Sequence, residues 1–324
     1  MSLAALGRRL LSFAVSLLCA SAVVFGLLNL LPGDVAGVIL GPNATPESIE
    51  AMRTRLGLDR PVWLRYLDWL GGLLTGDFGT SALSGDPVAG VIGSRLAVTT
   101  WLVVLGMFLA LLIALPVGMF AAMRRQRVDG LAASGLSQLG MAVPVFVVGL
   151  ALSLIVGVKL RWLPANGYVP LTDSPGQWLA HLVLPCLTLG LVQGAVLVRY
   201  VRSAFIEVLQ TEYFRTARAI GWRRWPAMLR HGLRNASLQI VTVLGLQMAT
   251  LFVGAIVVES VFALPGLGLY LLQVVANRDL PVVQSIVMVL VALVLVINLL
   301  VDLAYTFIDP RLRGDATAAS EADE

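Results

Sequence analysis

The sequence predicts an all-α integral membrane protein with six transmembrane helices and both termini in the cytoplasm. Three observations lead to this prediction: the mean hydropathy is +0.87, only 13% of the residues are charged, and long stretches contain no Asp, Glu, Lys or Arg. A soluble domain carries about twice that share of charged residues. The chain therefore has the composition of a protein that resides in a lipid bilayer.

The charge-free stretches give the positions of the predicted spans. Four stretches have no formal charge, and two more contain a single acid each, Glu259 and Asp302. A helix that crosses the bilayer needs about 20 apolar residues, because its backbone polar groups must be satisfied without water. Six spans fit these stretches, over residues 10–31, 97–122, 134–157, 181–202, 237–262 and 284–306.

The distribution of arginine predicts the orientation. With six spans, both termini lie on the same side of the membrane. If that side is the cytoplasm, fifteen Lys and Arg residues are cytoplasmic and three lie in the short outer loops. The long outer loop, 32–95, carries five more, but long loops cross the membrane largely regardless of charge. The positive-inside rule therefore places both termini, the loop 203–235 and the polar C-terminal tail 314–324 in the cytoplasm.

The motifs of the chain argue against an enzyme. The single lysine, Lys159, does not lie in a phosphate-binding G-x-x-x-x-G-K-[ST] loop, and His181 and His231 are too far apart for H-E-x-x-H zinc chemistry. The sequence thus predicts no metal site and no cofactor. The two intramembrane acids lie near span ends, whereas ion-coupled carriers place such groups near the midplane. A transporter driven by a partner fits these features, with a channel or secondary transporter as alternatives.

The segment 211–235 is the most unusual part of the chain, because it holds six arginines. An ordinary positive-inside loop accounts for part of this charge. The apolar residues of 209–220 recur at helical spacing, Gly221 follows them as a helix end, and Pro226 fits the first turn of a second helix. Aromatic residues are interleaved with the arginines. A folded helix–Gly–helix unit of this kind is suited to a groove on another protein.

This segment resembles the cytoplasmic coupling loop of ABC-transporter permease subunits, in the version found in B-type subunits of the dipeptide/oligopeptide/nickel importer family. The matching residues are Tyr213, Arg215, Thr216, Ala217, Arg218, Ala219, Gly221, His231, Leu233, Arg234 and Asn235. Ile220, Pro226 and Gly232 depart from the pattern, and Ile220 replaces a usual lysine. Further stretches resemble the same family in the same order: LLPGD (30–34), GPNATPE (41–47), LGLDRP (56–61), GDFGTS (76–81), VVESVFALPGLG (257–268) and NLLVDLAYTFIDPRLR (298–313).

The resemblance implies a type I importer-like permease fold in the bacterial plasma membrane and a set of partners. These are a second, homologous permease subunit, two ABC ATPase subunits that hold ATP and Mg, and an extracytoplasmic substrate-binding protein. The chain itself would hold no cofactor and bind no nucleic acid. It would form half of a pathway for di- or oligopeptides, or alternatively for nickel chelates, glutathione or another small solute. An ATP-independent channel or secondary transporter is the alternative from another class.

The resemblance also implies a role for the arginine-rich segment. It would sit in a cleft of one ATPase subunit and transmit ATP-driven movement to the spans, with Gly221 supplying the turn between its helices. The residues expected to act in this coupling are Tyr213, Arg215, Thr216, Ala217, Arg218, Ala219, Gly221, Arg223, Arg224, His231 and Arg234.

The fifth span contains the candidate pathway or gate residues Gln247, Thr250 and Glu259. Small residues at Gly245 and Gly254 allow helices to approach closely, which points to an interface between two permease subunits. Gln247 and Thr250 could equally face the pathway. For Glu259 the alternatives are capping of backbone at an outer gate and contact with a cationic amine of the cargo.

The outer loop, 32–95, contains two predicted helices. Thr45 and Pro46 begin the first, and Gly57 ends it. The second lies within 61–74 and has aromatic residues suited to the membrane interface. These aromatic residues are Trp63, Tyr66 and Trp69. The loop either caps the helix bundle or helps to receive cargo from the binding protein.

Overall fold

All regular secondary structure in the described part of the chain is helical. The computed structural model describes residues 3–30, 35–40, 44–55 and 57–308. The predicted C-terminal tail, 314–324, therefore lies outside the described residues. The helices are α1 Leu3–Leu30, α2 Val35–Leu40, α3 Pro46–Arg55, α4 Val62–Thr75, α5 Ala89–Met123, α6 Val128–Ala142, α7 Val145–Leu152, α8 Pro175–Gln210, α9 Glu212–Ala219, α10 Arg224–Ala227, α11 Leu233–Phe262, α12 Leu267–Ala276 and α13 Leu280–Ile308.

Five of these helices are long and apolar enough to cross a membrane: α1, α5, α8, α11 and α13. The bent pair of α6 and α7 makes a sixth if it is counted as one span. A helix satisfies its own backbone hydrogen bonds, which is why apolar sequence of this length takes this form in a bilayer. Each predicted span overlaps one of these six elements. Since the described residues form no strand, the predicted all-α membrane fold is confirmed.

The third predicted span, 134–157, is not one straight helix. α6 and α7 meet at an angle of 96°. Val143 between them is extended, with φ −82° and ψ 122°, because the ring of Pro144 disfavours the helical conformation of the residue before it. α7 then continues as a π-helical segment, Ser153–Lys159. The break at Pro144 is a feature that the charge-free stretch alone does not show.

α8 is longer than the predicted span, 181–202. It begins at Pro175, whose missing N–H costs nothing in the first turn, and the Ser174 hydroxyl accepts a hydrogen bond from the Gln177 amide at 3.4 Å. The helix continues to Gln210, about two turns beyond the predicted end. The predicted cytoplasmic loop therefore starts with the last turns of α8.

The described chain divides into two units. The first contains residues 3–5, 99–264 and 297–308, and the second contains the described residues of 6–98 and 265–296. The sequence predicts a single permease domain over residues 1–324 and does not indicate these two units.

Glycines bring α5 and α8 close together in the first unit. A Cβ atom built at Gly106 would lie 3.0 Å from the Leu189 side chain, and one built at Gly190 would lie 2.8 Å from the Leu109 side chain. Such distances leave no room for a larger residue unless the helices move apart. The two helices thus pack through small residues, as helices in lipid commonly do.

Gly245 and Gly254 on α11 lie in contacts within the chain. A Cβ atom at Gly245 would lie 3.1 Å from Val301 of α13, and one at Gly254 would lie 3.3 Å from Leu189 of α8. Packing inside this subunit accounts for both glycines. The expectation that they form an interface with a second permease subunit is therefore not needed to explain them.

In the second unit, α3 has the predicted start and end. The Ser48 amide donates to the Thr45 hydroxyl at 3.3 Å, which caps the helix, and Gly57 beyond its end has φ +65°. The segment between α4 and α5 is fixed to the turn before α13. The Asp279 carboxylate accepts hydrogen bonds from the Ser81 hydroxyl at 2.5 Å and from the Ala82 amide at 3.1 Å.

α4 packs on α1 through aromatic side chains. The ring centroid of Phe25 lies 5.4 Å from that of Tyr66 and 5.8 Å from that of Trp69. The hydroxyls of Ser21 and Tyr66 are joined by a hydrogen bond of 2.9 Å. Of the three aromatic residues predicted for the membrane interface, Trp63 is largely exposed, whereas Tyr66 and Trp69 are half-buried against the first span.

Candidate functional site

The arginine-rich segment folds as two short helices that are joined closely to two long ones. α8 ends at Gln210, and a single extended residue, Thr211, separates it from α9. After a turn, α10 passes through a π-helical segment, Met228–Gly232, directly into α11. No extended residue interrupts the chain from α10 to the end of α11. A displacement of α10 is therefore a displacement of the N-terminal end of α11, which contains a predicted span.

Gly221 forms the turn between α9 and α10. Its φ of +98° lies in the left-handed region, as predicted for a glycine that ends a helix. The Trp222 amide donates to the Ala217 carbonyl at 3.2 Å, and the Gly221 amide donates to the Arg218 carbonyl at 3.1 Å. This pair of hydrogen bonds is a Schellman motif, which satisfies carbonyl groups left open at the end of α9.

α9 presents one apolar face to the protein and one polar face outward. Phe214 and Ala217 are buried, with 4% and 6% of their surface exposed. Burial of this face against the end of α8 and against α10 holds the short helix in place, since eight residues alone do not form a stable helix. The residues that face outward are Tyr213, Arg215, Thr216, Arg218 and Ala219.

α10 and the π-helical segment after it also have one buried face and one exposed face. Pro226 lies in the first turn of α10, as predicted, and Ala227 and Met228 are fully buried. Ile220, in the turn before α10, is 72% exposed, so its side chain points away from the protein. The exposed residues from this part are Arg223, Arg224, Trp225 and Arg234, and His231 lies in the π-helical segment.

The arginines of the two helices are held mainly by local contacts. Arg215 pairs with Glu212 at 2.7 Å, but both side chains are mostly exposed, so this pair contributes little stability. The Arg218 guanidinium donates to the Trp222 carbonyl at 2.6 Å and reinforces the turn. Arg230 lies 5.6 Å from the centroid of the Trp222 ring, within the range of a cation–π interaction. The outward surface of α9 and α10, which we call the docking surface, is thus cationic and partly aromatic.

A second group of arginines lies beside the docking surface. The turn between α5 and α6 and part of α9 and α10 line a cleft of about 620 Å³, which we call the arginine cleft. Three of its arginines, Arg215, Arg218 and Arg224, also belong to the docking surface. In the sequence, the arginines of the turn between α5 and α6 belong to the predicted cytoplasmic charge, and no motif connects them with α9. Nothing in their spacing signals the contact, because about 90 residues separate the two segments. The arginines of the cleft are Arg124, Arg125, Arg127, Arg215, Arg218 and Arg224.

The three candidate pathway residues do not form one site. Glu259 is fully buried, and its carboxylate accepts a hydrogen bond of 2.5 Å from the Thr99 hydroxyl of α5. Gln247 is half-buried and Thr250 is exposed on the same helix. Nine residues of helix place Thr250 about 13 Å along α11 from Glu259. In this conformation the Glu259 carboxylate joins two helices and is closed to a solute.

The described residues contain no group of three or more His, Cys, Asp or Glu side chains arranged to hold a metal ion. The docking surface carries no nucleophile paired with a base. It presents exposed cationic and aromatic side chains.

Comparison with known proteins gives two family matches that together cover most of the chain. Residues 114–314 match the model described as binding-protein-dependent transport system inner membrane component, and residues 2–103 match the model of the N-terminal part of such components. The first match includes the whole of the docking surface and the arginine cleft.

Curated relatives are similar over nearly their full length. A probable peptide ABC transporter permease protein of Sinorhizobium fredii is 38% identical, with 94% of this chain and 98% of the relative covered. The glutathione transport system permease protein of Salmonella choleraesuis is 41% identical, with 94% and 97% covered. A putative peptide transport system permease protein of Brucella abortus is 40% identical, with 92% and 95% covered.

A solved structure shares the fold. A chain of the MetNI methionine ABC transporter, in an inward-facing conformation, superimposes with a TM-score of 0.59 at 18% sequence identity. The match covers 69% of this chain and 99% of that one.

Proposed function

Because the chain belongs to the family of inner membrane components of binding-protein-dependent transport systems, we propose that it forms half of the pathway of an ATP-driven peptide importer and couples to an ATPase subunit through residues 211–235. Family membership makes the chain a multi-pass inner-membrane permease subunit of an ABC importer. It is not an enzyme, since ATP hydrolysis in such systems belongs to a separate subunit. An ATP-independent channel or secondary transporter is excluded as its class.

The coupling role is supported by one observation above all: the docking surface is exposed, and its helices are joined to two predicted spans with almost no intervening chain. A partner that grips α9 and α10 would move the ends of α8 and α11 with them. The buried face of α9 keeps its arginines and Tyr213 pointing outward. Gly221 holds the two helices at a fixed angle.

The coupling mechanism follows from these connections. ATP and Mg, bound by the ATPase subunits, would drive closure of the ATPase pair, and this chain would receive that movement at the docking surface. Arg215, Arg218, Arg223 and Arg224 would supply polar contacts to the ATPase subunit. α10 and α11 would then move as one body, because they are continuous. Coupling in this form needs two conformations whose balance is shifted by ATP on one side and by cargo on the other.

The proposed assembly contains a second homologous permease subunit, two ATPase subunits and an extracytoplasmic substrate-binding protein. The docking surface must then be cytoplasmic, which agrees with the orientation predicted from arginine. The proposed role of the outer loop is to face the binding protein.

Peptides are the proposed substrate class because two of the similar relatives are named as peptide permeases. Glutathione is the second candidate, since the relative from Salmonella choleraesuis is named for it at 41% identity. Glutathione is itself a small peptide, so both candidates share the chemistry of a charged, peptide-like solute.

The experiment that tests the coupling proposal reverses the charge of two exposed arginines, Arg218→Glu and Arg223→Glu, in the assembled transporter. Charge reversal at a docked surface costs several kcal/mol, because like charges are brought together. We expect uptake of labelled peptide to be abolished and peptide-stimulated ATP hydrolysis to be lost, while the chain still reaches the membrane.

The matched control reverses two cations on the predicted outer side, Lys159→Glu and Arg161→Glu, which should leave peptide-stimulated ATP hydrolysis intact. Normal uptake by the first variant would refute the docking role. A panel of dipeptides, longer peptides and glutathione, tested for stimulation of ATP hydrolysis, identifies the cargo.

A further inference from the structure

The arginine cleft is lined by six arginines, and the coupling proposal assigns a role to only three of them. Among the described residues, two acids lie near these six guanidinium groups. Asp129 pairs with Arg124 and also interacts electrostatically with Arg127, and Glu212 pairs with Arg215. Packing cations together in one cleft is unfavourable unless an anion neutralises them. The cleft therefore has the electrostatic character of an anion-binding site.

One side of the cleft adjoins the end of a predicted span, and Leu209 on the other side lies about two turns beyond the end of the predicted span 181–202. α5, an apolar helix long enough to cross the membrane, ends at Met123, and Arg124 follows at once. The floor of the cleft is apolar, formed by Ala122 and Met123 from α5, Leu209 from α8 and Phe214 from α9. Cationic walls above an apolar floor match the boundary between lipid headgroups and acyl chains.

The turn that carries three of the arginines is rigid. The Arg127 amide donates to the Arg124 carbonyl at 2.9 Å, and Gly130 packs so closely on that carbonyl that a Cβ atom would collide with it. Arg124 also lies over the Phe120 ring, 5.0 Å from its centroid. A turn fixed in this way holds the backbone that carries Arg125 and Arg127 in place, which lowers the entropic cost of binding a ligand.

Arginine is the residue best suited to phosphate, because its planar guanidinium can donate two parallel hydrogen bonds to phosphate oxygens. Basic pockets between membrane helices on the cytoplasmic side bind phospholipid headgroups. A free phosphate ion gains nothing from contact with the apolar floor. The glycerol backbone and first acyl carbons of a lipid can pack on it. The combination of charge, depth and floor thus favours a lipid over a soluble anion.

We propose that the arginine cleft binds the phosphate headgroup of an anionic phospholipid from the cytoplasmic leaflet, and that this lipid contacts α9 and α10 on the side that faces the turn between α5 and α6. The leaflet follows from the orientation in the proposed function, but the existence of the site does not depend on coupling to an ATPase. The lipid would neutralise Arg125 and Arg127 together with the arginines of α9 and α10 that line the cleft.

The test removes charge only from the turn, with the double variant Arg125→Gln and Arg127→Gln in the full-length chain. Neither residue belongs to the proposed docking surface. The purified chain is titrated with phosphatidylglycerol in a phosphatidylcholine background, and the lipids that it retains are counted by native mass spectrometry. Each arginine near the site is expected to contribute about fivefold to affinity, so the double variant should bind phosphatidylglycerol about 25-fold more weakly.

Two control variants and one competition experiment distinguish lipid binding at the cleft from a general effect of charge. Arg161→Gln with Lys159→Gln removes the same charge elsewhere and should leave retention unchanged, and Arg127→Lys should retain most of it. Inorganic phosphate at millimolar concentration should not displace the lipid. Equal retention by the double variant and the wild type would overturn the proposal, as would full displacement by inorganic phosphate.

A folding defect is separated from a binding defect by size-exclusion chromatography and by the single variant Arg127→Gln, which should show about fivefold weaker binding. Loss of the ATPase subunit from the assembled complex, with lipid retention unchanged, would also overturn the proposal and assign the cleft to the protein partner. Failure of the coupling proposal would leave the lipid measurement unaffected, because it uses the chain without its ATPase.

Discussion

The φ angle of Gly221, +98°, lies in a region that L-amino acids rarely adopt. No heavy atom of a neighbouring side chain or backbone lies within 4 Å of where its Cβ would be, so space is not the constraint. The constraint is the backbone conformation, which sets the direction from α9 to α10. This single residue therefore controls how the docking surface is presented.

Substitution at Gly221 separates conformation from size. Gly221→Val should strain the turn by about 1–2 kcal/mol, because a β-branched residue disfavours left-handed φ, and peptide uptake should fall about tenfold or more. Gly221→Asn should retain most of the uptake, since asparagine tolerates this region. Uptake is measured with labelled peptide in proteoliposomes that contain the whole transporter. Equal uptake by the two variants would show that the left-handed turn is not required.

The hydrogen bond between the Thr99 hydroxyl and the Glu259 carboxylate should stabilise the fold, which a thermal unfolding experiment can test. Thr99→Val keeps the shape of the side chain but removes a donor to a fully buried carboxylate, which should destabilise the chain by about 1–3 kcal/mol. Thr99→Ser keeps the hydroxyl and should remain close to wild type. Thermal unfolding in detergent, followed by near-ultraviolet circular dichroism, gives the difference. If the valine variant melts at the wild-type temperature, the hydrogen bond does not stabilise this conformation.

At the scale of the elements, apolar composition predicts where the long helices lie, but it does not predict where one of them breaks. Pro116 and Pro185 lie inside α5 and α8 without ending them, whereas α6 ends two residues before Pro144. Neighbouring helices can satisfy the carbonyl that a membrane proline leaves open, so the same residue gives a continuous helix or a bend. Which outcome occurs depends on tertiary packing, and that information is not local to the sequence.

The fold of α9 and α10 could be predicted because the features that determine it are local in the sequence. Gly221 and Pro226 act through local backbone chemistry, and the apolar spacing of α9 is local as well. The arginine cleft was not predictable, because it joins the turn after α5 to α9 by tertiary contact. The burial of Glu259 against Thr99, 160 residues away, is equally invisible in the sequence.

The continuity of α10 with α11 has a consequence that an insertion tests. Two glycines inserted after Gly232 would introduce flexible residues at the start of α11, each of which weakens a helix by about 1 kcal/mol. Binding of the ATPase subunit should persist, while peptide uptake falls and ATP hydrolysis loses its dependence on peptide. The same insertion after Asp173, in the loop before α8, is the control and should leave uptake largely intact. Unchanged uptake with the first insertion would argue against rigid transmission through α11.

At the scale of the whole molecule, the chain is a permease subunit that contains no motor of its own, and its proposed contact with a motor lies on one side of the membrane. The orientation inferred from arginine and the assignment of the docking surface support each other. An inverted chain would place α9 and α10 on the side of the membrane away from a cytoplasmic ATPase. A single experiment can examine both.

That experiment is site-specific photocrosslinking in the assembled transporter in cells. A photoreactive amino acid replaces Ile220, which is 72% exposed in the turn of the docking surface, and in a separate variant replaces Trp162, which is 74% exposed on the predicted outer side. We expect the probe at position 220 to capture the ATPase subunit and the probe at position 162 not to capture it. Capture of the ATPase subunit from position 162, or its absence from position 220, would contradict the account.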